Sequence, residues 1–160
     1  MEQPKTKTIP DEKTALAKAE HYCAYQERSQ QEVRDKLYEW GLHSAAVENI
    51  ISLLISDNFL NEERFAKAYV QGKFKQKGWG KIKIKQGLKF KRIPEVLIKK
   101  ALQTISPDDY LQALEHILAK KARTVAETDP YKRRYKLQQY ALSRGFEADL
   151  ILDVLKASDL

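Results

Sequence analysis

Residues 77–92 read KGWGKIKIKQGLKFKR. Ile82 and Ile84 alternate with lysines at the period of a half-buried β-strand, but the charge is high for a strand and the segment does not stand alone. Residues 29–51, SQQEVRDKLYEWGLHSAAVENII, slide forward by 51 positions onto residues 80–102, GKIKIKQGLKFKRIPEVLIKKAL, without a gap. Val33 falls on Ile84, Leu37 on Leu88, Leu42 on Ile93, Val47 on Ile98 and Ile51 on Leu102. A shift of 104 positions takes Val33 to Leu137, Leu37 to Ala141, Gly41 to Gly145, Leu42 to Phe146, Val47 to Ile151 and Ile51 to Leu155. Three copies of one apolar pattern run through the chain.

The first copy reads as helix. Ser29-Gln30-Gln31-Glu32 forms a capping box, with a hydroxyl for the N3 amide and a glutamate reaching back to the cap. Val33 and Leu37 follow four apart, and Gly41 ends the helix as a left-handed cap does. A second helix starts near Ser44 and carries Val47, Ile50, Ile51, Leu54 and Ile55 as one stripe. Ahead of both, residues 13–25 repeat Ala15, Ala19, Tyr22 and Cys23 at helical spacing. The second copy opens at Asn61 with Glu62 and Glu63 in its first turn, then Phe65, Tyr69, Val70 and Phe74. The third opens at Ser106-Pro107-Asp108-Asp109, and its middle helix at Asp129-Pro130, each a cap followed by proline.

The opening stretch therefore enters a helix, with Ile84 and Leu88 in the anchor places of Val33 and Leu37. Gly87 weakens that helix by about 1 kcal/mol relative to alanine. Ile82 and Phe90 fall off the anchor stripe and are expected at the surface or against a neighbouring repeat. The fold expected is all-α: three tandem three-helix repeats forming an elongated, curved array. Its divisions are a tail over 1–12 and repeats over 13–58, 59–105 and 106–160.

Composition narrows the function. A net charge of +7 and 42% hydrophobic residues describe a folded chain with an anionic partner. Cys23 is the single cysteine, which excludes an internal disulfide and suits a reducing compartment. The N-terminal residues lack an apolar signal core, and the longest apolar run, near residues 50–55, is too short to span a membrane. A cytoplasmic monomer with no membrane association is expected. His21, His43 and His116 stand in three separate repeats without ligand-spaced partners, and the acid pairs sit where helix dipoles explain them. No P-loop, dinucleotide turn or nucleophile elbow is present. Neither an enzyme nor a cofactor or metal site is expected.

The basic run is the prominent feature. Between residues 73 and 100 the only acid is Glu95. Lys81, Lys85 and Lys89 follow at four-residue steps on a helix, with Arg92 on the same side. Like charges at that spacing repel, so an unrelieved ridge points to use, against the alternative of a merely solvated face. Lys73, Lys75 and Lys77 lead into it, and Trp79 lies in the turn before it, either as a buried anchor or as a stacking surface. Lys132, Arg133 and Arg134, beside Lys136, form a second basic patch in an unfavourable place, the first turn of a helix.

These residues resemble those of the RecX regulators of the recombinase RecA. Phe59-Leu60, Glu63-Arg64-Phe65, Lys77-Gly78-Trp79-Gly80, Ile84, Leu88 and Lys91-Arg92-Ile93 match the family's central pattern. Ser29 to Leu37 is similar to its first-repeat signature, and Ser143-Arg144-Gly145-Phe146 to its third-repeat turn. Two departures stand out: Gly87 where the family usually has glutamate, and Arg92 where it usually has glycine. The resemblance implies a repeat array lying in the groove of the RecA–single-stranded DNA filament, blocking filament growth and dampening strand exchange, without catalysis or cofactor. Lys81, Lys85, Lys89 and Arg92 would then meet acidic RecA residues or DNA phosphates, single- or double-stranded. Two rivals belong to other classes: a helix-turn-helix-like, sequence-specific DNA-binding protein independent of RecA, and a basic adaptor that touches no nucleic acid. Against the first, the basic helix has Gln86 as its lone amide and a single arginine for base reading.

Overall fold

Ser29 is buried, and its hydroxyl accepts a hydrogen bond from the Glu32 amide at 3.1 Å, which starts a helix where the repeat places one. The computed structural model describes residues 11–160; residues 1–10 of the expected tail lie outside the described residues. The described residues form helices and no strand. The first repeat contains α1 (Glu12–Tyr25), α2 (Gln30–Glu39) and α3 (Ser44–Ser56). The second contains α4 (Glu62–Lys75), α5 (Lys81–Phe90) and α6 (Glu95–Leu102). The third contains α7 (Pro107–Ala122), α8 (Pro130–Ser143) and α9 (Ala148–Ala157).

Side-chain caps sit where the sequence sets them. Asn61 accepts from the Arg64 amide, Ser106 from Asp109, and Asp129 from Tyr131 and Lys132. One half of the expected capping box differs. The Glu32 carboxylate does not return to its cap but lies 2.6 Å from Lys91 Nζ, because an ammonium group is the stronger partner for a carboxylate. Ile84 and Leu88 are fully buried, so α5 is a helix anchored by its repeat positions despite the strand-like alternation. Ile82 and Phe90 are exposed, at 44% and 87%.

The chain divides into two compact units, one of residues up to Ala68 with Lys91–Ile93, the other of Tyr69–Phe90 with Pro94–Leu160. The boundary cuts α4 and the α5–α6 turn, so the second repeat is shared. In the first unit Ala15, Ala19, Val33, Leu37, Val47, Ile50 and Leu54 form the core, and Cys23 packs among them. Burial pushes the Cys23 thiol up to about 11, the behaviour of a structural rather than a reactive cysteine. In the second unit Phe74, Tyr110 and Phe146 stack in sequence, with ring centroids 6.0 and 5.2 Å apart.

In each unit the start of a middle helix is met by the repeat that follows it. In the second, α5 has a glycine, Gly80, where α2 has its serine, and it has no side-chain cap of its own. Its first amides are satisfied by the third repeat instead. Gly80 N–H donates to the Arg144 carbonyl at 2.8 Å, Ile82 N–H to Gly145 at 3.0 Å, and Lys81 N–H to the Tyr110 hydroxyl at 3.0 Å. That hydroxyl donates onward to Glu147 at 2.5 Å. In the first unit the start of α2 is met by side chains of the second repeat: the Gln30 amide lies beside the Glu62 carboxylate, and Lys91 reaches Glu32. Beside it Arg64 Nε lies 2.5 Å from Glu27.

Candidate functional site

The cations singled out by the sequence separate into groups with different surroundings. On α5, Lys81 places its ammonium 4.8 Å from the centre of the Tyr110 ring, and Lys85 Nζ is 3.7 Å from Glu95. Lys89 is exposed and has no ion pair among the described residues. Lys81 and Lys85 border a groove of about 680 Å³ between α5 and α6, whose other lining includes Val96, Lys99 and Leu102. Val96 is 77% exposed, so this basic face also offers apolar surface.

Arg92 follows the end of α5 and is exposed, with no ion pair among the described residues. Its φ is +59°, while Gly41 and Gly145, at the same place in their repeats, have φ of +89° and +96°. The left-handed turn is thus common to all three repeats, and only in the second does a side chain with a Cβ hold it.

Trp79 is half-buried. Lys73 and Lys83 hold their ammonium groups 4.7 and 4.6 Å from its ring centre, and its amide donates to the Lys73 carbonyl at 3.0 Å. Lys73 also lies 5.4 Å from the Tyr69 ring. This cluster clamps the α4–α5 turn, and a base stacking on Trp79 would displace a lysine. Tyr69 explains Gly87: a Cβ on Gly87 would fall 2.0 Å from the Tyr69 hydroxyl. Sequence reading took Gly87 as a weakness in the helix and a departure from the family, without a reason for either.

Arg133 is turned inward. Its guanidinium donates to the carbonyls of Ala122 at 2.8 Å, Val125 at 2.9 Å and Leu160 at 3.0 Å. Lys132 and Arg134 beside it are exposed. Lys75 and Lys77 are exposed as well, and they line a groove of about 590 Å³ with His116, Lys120, Lys121 and Arg144. Of these last four, sequence reading noted only His116 and Arg144, neither as a contact. Single positions on the polar face of an ordinary amphipathic helix carry no signal until the fold brings them together. No cluster of histidine, cysteine, aspartate or glutamate among the described residues has a metal-holding arrangement, and no helix among them is long and apolar enough to cross a membrane.

Comparison with known proteins places this geometry. Models of the first, second and third RecX three-helix domains match residues 15–54, 61–102 and 108–155. The regulatory protein RecX of Pasteurella multocida is 35% identical over 127 residues, which cover 79% of this chain and 76% of that protein. That of Clostridium acetobutylicum is 32% identical over 133 residues, covering 81% and 61%. The chain spans 61% and 57% of the Clostridium acetobutylicum and Bacillus licheniformis relatives. The crystal structure of RecX from Lactobacillus salivarius aligns with a TM-score of 0.83 at 25% identity, over 91% of this chain and 95% of that one. With three domain models in tandem and a relative matched over most of its length, the chain belongs to the RecX family of regulatory proteins.

Proposed function

We propose that this protein binds the RecA–single-stranded DNA filament along its helical groove and restrains filament growth, ATP hydrolysis and strand exchange. Family membership supports regulation. The observation that carries the reading is the cationic face of α5, where Lys89 is unpaired and Lys85 meets only the solvent-exposed Glu95. A weak surface pair of this kind leaves the ammonium available to a partner. Arg92, in the first unit, is a separate candidate, because a residue held at positive φ where its counterparts are glycine carries a backbone cost that a binding role offsets. Lys81 on α5 and the exposed Lys132 and Arg134 on α8 are further candidate contacts, while Lys73 and Trp79 shape the turn from which α5 starts.

Filament ATP hydrolysis on single-stranded DNA, titrated with substoichiometric protein, tests the reading. Wild-type protein should slow hydrolysis. Lys85→Glu with Lys89→Glu should weaken that inhibition several-fold at an unchanged melting temperature. Full inhibition by the doubly reversed protein would refute the role of α5. Sequence-dependent duplex binding without RecA would favour the helix-turn-helix alternative.

A further inference from the structure

The groove that takes in Lys75 and Lys77 differs in character from the face of α5. Its walls are the end of α4, the outer side of α7 and the α8–α9 turn, all in the second unit. Lys75, Lys77, His116, Lys120, Lys121 and Arg144 line it, and no acid does. None of these groups is ion-paired among the described residues. The Arg144 guanidinium is held in place by the Lys77 carbonyl, to which Nη2 donates, and its Nε is buried without a partner. Concentrating cations in a concave site costs self-repulsion, and an anion relieves it.

The groove continues into a second one of about 510 Å³, the two sharing Lys121, Thr124 and Tyr140. Lys121 Nζ lies 4.7 Å from the Tyr140 ring centre. Further along stand Tyr135, 62% exposed, and Lys136, which pairs with Glu127 at 3.8 Å. From Ala113 to Lys121 the α7 wall alone is about 12 Å long, at 1.5 Å per residue. That is longer than a lone phosphate needs. Cations beside the exposed Tyr135 ring suit a chain of phosphates, in which every unit bears a stackable base, better than an acidic peptide, in which a ring is incidental.

We propose that this double groove binds a single nucleic-acid strand directly, with Lys75, Lys77, Lys120, Lys121 and Arg144 on the phosphodiester backbone and Tyr135 against a base. The site does not require the filament reading above: it acts on the bare strand, without recombinase.

The test is fluorescence anisotropy of a labelled oligothymidylate with the full chain alone, across a salt series. Lys120→Glu with Lys121→Glu should lower affinity roughly tenfold and flatten the slope of log K against log salt by about 1.4, two phosphate contacts' worth. Lys13→Glu with Lys18→Glu, the same charge change on α1, should shift affinity less than about threefold, the cost of diffuse charge alone. Tyr135→Ala should lower affinity several-fold with little change in salt slope. Should the α7 pair misfold by circular dichroism, Lys75→Glu with Lys77→Glu probes the opposite wall. Equal losses in the α1 and groove variants, no strand binding by wild type, or displacement of the oligonucleotide by polyglutamate or millimolar phosphate at lower charge concentration would each overturn the proposal. Failure here leaves the filament assay unaffected, and loss of filament inhibition with intact strand binding leaves the groove standing.

Discussion

Arg92 and Gly80 show opposite ways for a single position to depart from its copies. Arg92 occupies a left-handed turn that Gly41 and Gly145 hold without a Cβ, and its side chain is exposed. Arg92→Gly should therefore raise stability by about 0.5–1 kcal/mol, seen as a higher urea midpoint, while weakening filament inhibition. Gly80 stands where Ser29 stands in the first repeat. A Cβ there would lie 2.4 Å from the backbone of Gly145 and 2.5 Å from the Phe146 nitrogen. Backbone cannot swing aside as a side-chain tip can, so Gly80→Ala should destabilise by about 2 kcal/mol or more. A urea midpoint unchanged from wild type would contradict the close approach. Both positions were visible in the sequence, Arg92 as a departure from the family pattern and Gly80 as a match to it, in Lys77-Gly78-Trp79-Gly80. What Gly80 touches is 65 residues away, beyond the reach of any local pattern.

At the scale of elements, the helices were legible because each copy repeats its caps and anchors, and a repeat outweighs local alternation. Val33, Ile84 and Leu137 share a register and all are fully buried. The cap of α5 was not legible, because its acceptors come from the Arg144–Gly145 turn and from Tyr110. Tyr110 is the pivot: it accepts from Lys81 N–H, donates to Glu147, and packs between Phe74 and Phe146. Tyr110→Phe keeps the ring and removes the acceptor, so one helix-start amide loses its partner at a cost of about 1–3 kcal/mol. Burial, reinforced by Glu147, raises the Tyr110 phenol above its usual range. A phenol that holds its proton more tightly folded than unfolded gives stability that is complete below about pH 10 and drains away as pH rises further. Wild-type protein should lose stability more steeply above that pH than Tyr110→Phe, in urea melts taken along an alkaline series.

For the whole molecule, the total charge is plain in the composition, but where the fold places each cation is not. The +7 excess pointed to an anionic partner. Position along the chain suggested a ridge of cations over 81–92, with Lys73, Lys75 and Lys77 leading into it, and a second patch at Lys132, Arg133 and Arg134. Tertiary packing instead sends Arg133 inward to three carbonyls, sets Lys73 over Trp79, and gathers Lys75 and Lys77 with cations of α7. If excess charge steers the encounter with a DNA-bearing polymer, raising salt from about 50 to about 500 mM should slow association at least tenfold and change dissociation far less. Stopped-flow mixing with preformed filaments measures both.

The borrowed acceptors at the start of α5 set an order of events. A ribosome releasing this chain delivers the lysine helix well before the turn that completes its first hydrogen bonds. Until Phe146 has emerged, that helix begins with open amides and an uncovered glycine. A fragment ending at Ile105 should accordingly exchange the amide hydrogens of Lys81 and Ile82 much faster than the full chain does. Nascent protein would then carry its most basic helix unanchored at the start until the third repeat is made, so that the shape of the cationic surface is settled late in synthesis.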